Sequence, residues 1–135
     1  MALPKLNDKP KYELTIPSTG KKVKYRPYLV KEEKILMMAL ESGDKHSALN
    51  AVIDTIEACV SDEVDRGQLA LFDIEYMFIM IRSKSVGEVS EVGIKCTSCN
   101  TVNEISIQLD NVQVKKPEGS SEIELSDTIT LKMKY

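Results

Sequence analysis

Cys96 and Cys99 stand in the run Cys96-Thr97-Ser98-Cys99-Asn100, and theirs is the one spacing in the chain that could carry chemistry. At the tip of a β-hairpin, a CxxC forms a knuckle whose two thiolates and backbone N–H groups converge on one point. That is half of a structural zinc site, which holds its ion with four tetrahedral ligands. A second CxxC does not follow downstream. Cys59 and His46 fall at opposite ends of one expected helix, about three turns apart, too far for both to reach one metal. Cys59 reads better as a small buried apolar residue. Completing a tetrahedron at Cys96 and Cys99 therefore takes a second copy, a partner, or residues beyond Tyr135. The alternative is a degenerate knuckle that serves only as a tight turn. Redox CxxC motifs sit at a helix N-terminus in a βαβ setting, which a hairpin tip does not supply.

Catalysis has little else to stand on. His46 is the single histidine and lies near a helix start with no motif around it, which favours a surface or capping role over general-base work. The sequence contains no GxSxG, Walker-type GxxxxGK[ST], HExxH or Gly-rich dinucleotide fingerprint. The turn Pro17-Ser18-Thr19-Gly20 has one glycine, too few to cradle a phosphate. No enzyme and no cofactor are expected, zinc at Cys96 and Cys99 being the one metal the residues could accept.

Composition bounds the remaining classes. The 135 residues suit one compact domain, and the net charge of -3 speaks against a protein devoted to nucleic acid. No apolar run approaches the roughly 20 residues needed to cross a bilayer, and the N-terminus lacks the apolar core of a secretory signal. Three cysteines, an odd number, do not suggest a disulfide framework. A reducing, cytoplasmic setting is the simplest expectation. Met37 and Met38, adjacent on one helix, are expected in the core or, alternatively, at an interface.

The elements that must position the knuckle follow from periodicity. Residues 1–11 are polar and hold Pro4 and Pro10, so an irregular arm is expected. Tyr12 to Ile16 and Lys21 to Tyr28 alternate on either side of the Pro17–Gly20 turn and predict a β-hairpin. Its basic residues Lys21, Lys22, Lys24 and Arg26 are expected on a solvated face, with an anionic partner surface as the other reading. Val30 to Ser42 predicts a helix ended by Gly43. A second runs from an Asp44 cap to about Val60, with Leu49, Val52, Ile53, Ile56 and Val60 on one stripe. Leu71 to Gly87 is the most apolar run, and its all-round apolar character predicts a buried central helix with Asp73 as N-cap. After Gly87 the period changes to two. Glu88–Cys96 and Thr101–Leu109 predict the hairpin that carries the CxxC. Asn111–Lys115 predicts a short further strand, Lys116–Ser121 a loop, and Glu122–Leu125 with Thr128–Tyr135 further strands.

The expected fold is thus α+β: an N-terminal β-hairpin, a three-helix core with a buried central helix, then antiparallel β-hairpins with a CxxC knuckle. Residues 12–135 are read as a single domain. The chain stops on the alternating run Ile129, Leu131, Met133, which suggests a larger protein cut here or a terminal strand that needs a partner. Open strand edges invite strand addition, so the hairpins and that terminal strand are the expected interfaces.

Three stretches together resemble a known family. LTIPSTGKKVKYRPYLVKEEKILMMALESGD (Leu14–Asp44) is similar to the N-terminal region of the baseplate hub assembly proteins of T-even-type contractile-tailed phages. LFDIEYMFIMIRSKSVGE (Leu71–Glu88) resembles that family's central segment, and the IKC…C hairpin ending in ISIQLD also fits. The resemblance implies a small non-enzymatic structural or assembly protein, chaperone-like, acting in the host cytoplasm while the baseplate hub is built. Its implied partners are other hub and tail proteins; that no membrane is expected, and that nucleic acid is disfavoured, follows from the composition above. It also implies relatives that continue beyond residue 135. A homo-oligomer is compatible with it, and so is a place in the virion baseplate. A second class of function, a zinc-knuckle module contacting nucleic acid or another protein, rests on Cys96, Cys99, Lys95 and the basic first hairpin.

Overall fold

The computed structural model describes residues 10–115 and 121–133. The expected arm falls mostly outside these residues, as do nearly all of the Lys116–Ser121 loop and the last two positions. Strands β1 (Tyr12–Thr15) and β2 (Lys22–Tyr25) form the first hairpin, in antiparallel register with Leu14 opposite Val23. Gly20 closes the turn at φ +70°, in the left-handed region that glycine enters without steric penalty. Helices α1 (Val30–Glu41), α2 (Lys45–Cys59) and α3 (Leu71–Ser85) follow in the expected order. Strands β3 (Val89–Lys95) with β4 (Val102–Gln108), and β5 (Glu122–Ser126) with β6 (Ile129–Lys132), make two further antiparallel hairpins. The strand expected at Asn111–Lys115 is absent. A 3₁₀ turn at Leu109–Asn111, closed by Val112 N–H on the Leu109 carbonyl at 3.2 Å, takes the chain out of β4, and 112–115 is irregular. Alternation alone does not make a strand without a paired edge.

The core lies where α3 meets the first hairpin and α2. Met77 and Ile81 of α3 are fully buried with Leu14, Ile16, Val23 and Tyr25 from the hairpin and Ile56 and Cys59 from α2. The other faces of α3 are less covered than its composition predicts: Phe78 and Met80 are half-buried and Leu71 is exposed. Val60 adds a single β-bridge to Tyr25, and Ser61 N–H and Arg26 N–H bond across to Lys24 and Cys59 carbonyls at 2.8 and 2.9 Å. The end of α2 is thereby stitched to the outer edge of β2.

Asp73 joins the first hairpin to α3. The expected N-cap role is displaced by one turn: Ala70 is the cap, and Asp73, three residues into the helix, reaches back to accept from Ala70 N–H at 2.9 Å. Its other oxygen accepts from Ser18 N–H at 2.9 Å, in the turn of the first hairpin. The residue is completely buried. A buried carboxylate is tolerated where backbone donors and the positive end of a helix dipole replace its water. Replacing Asp73 by Ala orphans both N–H groups, and the expected loss is about 2–4 kcal/mol in urea or thermal unfolding. A near-neutral variant would remove this link from the fold.

Glu32 and Arg26 form the second internal polar link. Glu32 is buried, accepts from Leu29 N–H at 2.6 Å as a helix N-terminal cap, and pairs with Arg26 Nη2 at 3.1 Å. Arg26 also donates to the Pro27 and Ala58 carbonyls, so it is a structural residue of the interior and not part of a solvated basic face. Burial pushes the Glu32 carboxyl up, but the Arg26 and Leu29 hydrogen bonds and the Arg26 charge outweigh it and hold it below its ordinary 4.5. Because the folded value is the lower one, its contribution is present above about pH 4.5 and lost as pH falls through the folded value. Glu32→Gln should cost about 1.5–3 kcal/mol at pH 7. Denaturation across pH 7 to 3 should show the gap between wild type and variant shrinking below pH 4.5.

Candidate functional site

The β3–β4 hairpin places the two cysteines. Val92 and Ile105 are directly opposite, as are Ser90 and Ile107, and Ile94 and Asn103. Strand alternation puts Val92 and Ile94 on the same side as Ile105 and Ile107, and Cys96 continues their parity at the tip. The tip is closed by Cys96 N–H on the Thr101 carbonyl at 2.8 Å and Asn100 N–H on the Cys96 carbonyl at 3.0 Å. Asn100 takes φ +57°, a left-handed conformation that asparagine tolerates better than most residues. Cys96 is half-buried and Cys99 exposed.

Cys99 Sγ donates to Thr101 Oγ1 at 3.3 Å. When the thiol ionises, that hydroxyl can turn and donate to sulfur. The Thr101 hydroxyl, then the Thr101 N–H and the Cys96 thiol, hold Cys99 below the ordinary cysteine value. Cys59 is the opposite case, a core residue whose thiol is pushed up by burial. His46 is exposed at the start of α2, where Asp44 caps the helix by accepting from His46 N–H and Ser47 N–H at 3.2 and 3.0 Å. Among the described residues, no third His, Cys, Asp or Glu joins Cys96 and Cys99 in a metal-sized group. The knuckle is therefore a pair.

What periodicity could not show is how the hairpin faces are covered. Ile94 is 52% exposed, and Val92, Ile105 and Ile107 are exposed beside it. On the β5–β6 hairpin, Ile123 and Leu131 are cross-strand partners and both exposed, with Leu125 and Ile129 exposed nearby. On α1, Met37 and Met38 face solvent together with Ile35. The root of the β3–β4 hairpin is, in contrast, held firmly. Lys84 Nζ pairs with Glu88 at 2.5 Å and Asp110 at 3.1 Å, Ser83 Oγ donates to Asp110 at 3.0 Å, and Leu109 is buried with its N–H on the Glu88 carbonyl. The Glu88 and Asp110 carboxylates push the Lys84 amine up, and Lys84 in turn holds the Asp110 carboxyl down.

Several charged residues elsewhere are engaged in the fold. Lys21 Nζ donates to the Glu63 carbonyl at 2.9 Å and Lys24 faces Glu13 at 3.9 Å. A surface groove of about 520 Å³ is lined by Glu57, Val60, Asp62, Glu63, Val64 and Asp65. Its carboxylates work locally: Glu57 binds the Arg66 guanidinium, Asp62 accepts from Lys24 N–H at 2.8 Å and Asp65 from Gly67 N–H at 2.9 Å. Of the three cysteines, Cys99 is the exposed one and Cys59 the buried one. With the fold intact, iodoacetamide should label Cys99 at least about tenfold faster than Cys59. Peptide mass mapping of a time course checks this, and equal rates would contradict the burial of Cys59.

Among the described residues no helix is long and apolar enough to cross a membrane. Neither a search of curated proteins nor one of solved structures gave a match. The family model described as "T4 bacteriophage base plate protein" matches residues 9–135, which takes in every element above from the first hairpin to β6. The chain belongs to this family of T4-type phage baseplate proteins.

Proposed function

We propose that the protein is a non-enzymatic component or assembly factor of the baseplate hub. It works through protein–protein contacts during tail baseplate assembly in the host cytoplasm, in the manner of a chaperone. The observation that carries this reading is the uncovered apolar face of the β3–β4 hairpin, supported by that of β5–β6. A lone two-stranded hairpin is marginal in water, because nothing buries its apolar side. Contiguous exposed apolar residues rimmed by polar ones mark surfaces that another protein covers. Here Ser90 and Asn103 are the polar residues that share that face. The membership of a baseplate family points to other hub and tail proteins as the molecules that do the covering.

The experiment is affinity capture of tagged full-length protein from infected cells, with cross-linking and mass spectrometry of what is retained. Baseplate hub or tail proteins should be recovered, with cross-links concentrated on 89–108 and 121–133. Ile94→Glu combined with Ile105→Glu should cut that recovery at least about tenfold while far-UV circular dichroism stays unchanged, since neither side chain belongs to the core. Recovery of no tail component by the wild-type protein would overturn the reading.

A further inference from the structure

We infer that Cys96 and Cys99 form a two-thiolate half-site for Zn²⁺, completed by the same pair from a second copy of this chain. The hairpin tip supplies two thiols on one closed turn, with Asn100 holding the left-handed position that a knuckle needs at its last residue. Zn²⁺ in a structural site takes four ligands in a tetrahedron, and thiolate is its favoured donor. Among the described residues the chain brings no third ligand to this pair. A two-fold axis through the metal supplies two further thiolates of identical geometry, and such an isologous contact closes on itself.

An uncovered apolar surface lies beside the tip. Cys96 shares its side of the hairpin with Val92, Ile94, Ile105 and Ile107, all exposed. Four thiols release four protons as one Zn²⁺ binds; no oxidant or reductant takes part. This goes beyond the baseplate reading and does not depend on it, because purified protein alone decides it.

Full-length protein purified under reducing conditions is titrated with zinc chloride. Bound metal is measured by atomic emission after desalting, and mass by light scattering. The expected result is about half an equivalent of zinc per chain and a zinc-dependent doubling of mass. Chelator should reverse the doubling, and Cys96→Ser or Cys99→Ser should abolish both effects. Circular dichroism and thermal unfolding of the serine variants verify that the fold persists, as exposure at the tip predicts. Absence of tight zinc overturns the inference, as does one zinc per monomer. A dimer that survives chelator or the serine substitutions overturns it too, and assigns the contact to the apolar face alone.

Discussion

A single carboxylate, that of Asp73, accepts one N–H from the start of its own helix and one from the turn of the first hairpin. The α3 helix can bury Met77 and Ile81 only if the hairpin lies across it at one fixed height, and Asp73 sets that height. Hydrophobic burial supplies most of the favourable free energy but has no direction. The buried carboxylate adds direction, because two backbone donors must meet its two oxygens or be left without partners. Tyr28 N–H on Ser85 Oγ at 3.0 Å repeats the arrangement at the far end of the same helix. Together these links let a short hairpin of four-residue strands seat on one helix without sliding.

Much of this is legible in the sequence. Element order followed from period and punctuation: Gly20 and Gly43 sit at positive φ where turns were expected, Asp44 caps α2, and Cys59 is buried as a small apolar residue should be. The family could be recognised from stretches that turn out to be the first hairpin, α1, α3 and the knuckle hairpin. Other features were hidden for definite reasons. Asp73 stands just inside an apolar run, where a simple cap and a residue reaching back from the third position look alike. Arg26 belongs by composition to a basic hairpin face, and only the approach of α1 and the end of α2 turns it inward. Val112 and Val114 alternate as a strand would, yet no neighbouring edge receives them. Cys96 and Cys99 are legible as a pair, and among the described residues they remain one.

The two ends of the knuckle hairpin are built differently. At the root, Lys84, Glu88, Asp110 and Ser83 bind one another beside the buried Leu109. From there outward, among the described residues, the strands pair only with each other. Gly93 belongs to this outer part, and a Cβ there would come within 2.9 Å of Val102 Cγ1, so a larger residue would require the Val102 side chain to shift. Resistance to local opening therefore falls from root to tip, since local stability tracks how much apolar contact surrounds a segment.

The uncovered hairpin faces carry a thermodynamic consequence. Were a partner to close over Val92, Ile94, Ile105 and Ile107, as proposed above, stability in the free chain and in the assembly would be different quantities. Part of the binding free energy goes into ordering, and the remainder sets the affinity. A molecule made this way holds its identity in the α3 core and leaves its final shape to its neighbours. Its unpaired strand edges make the interval before those neighbours arrive the time when it is most prone to self-association.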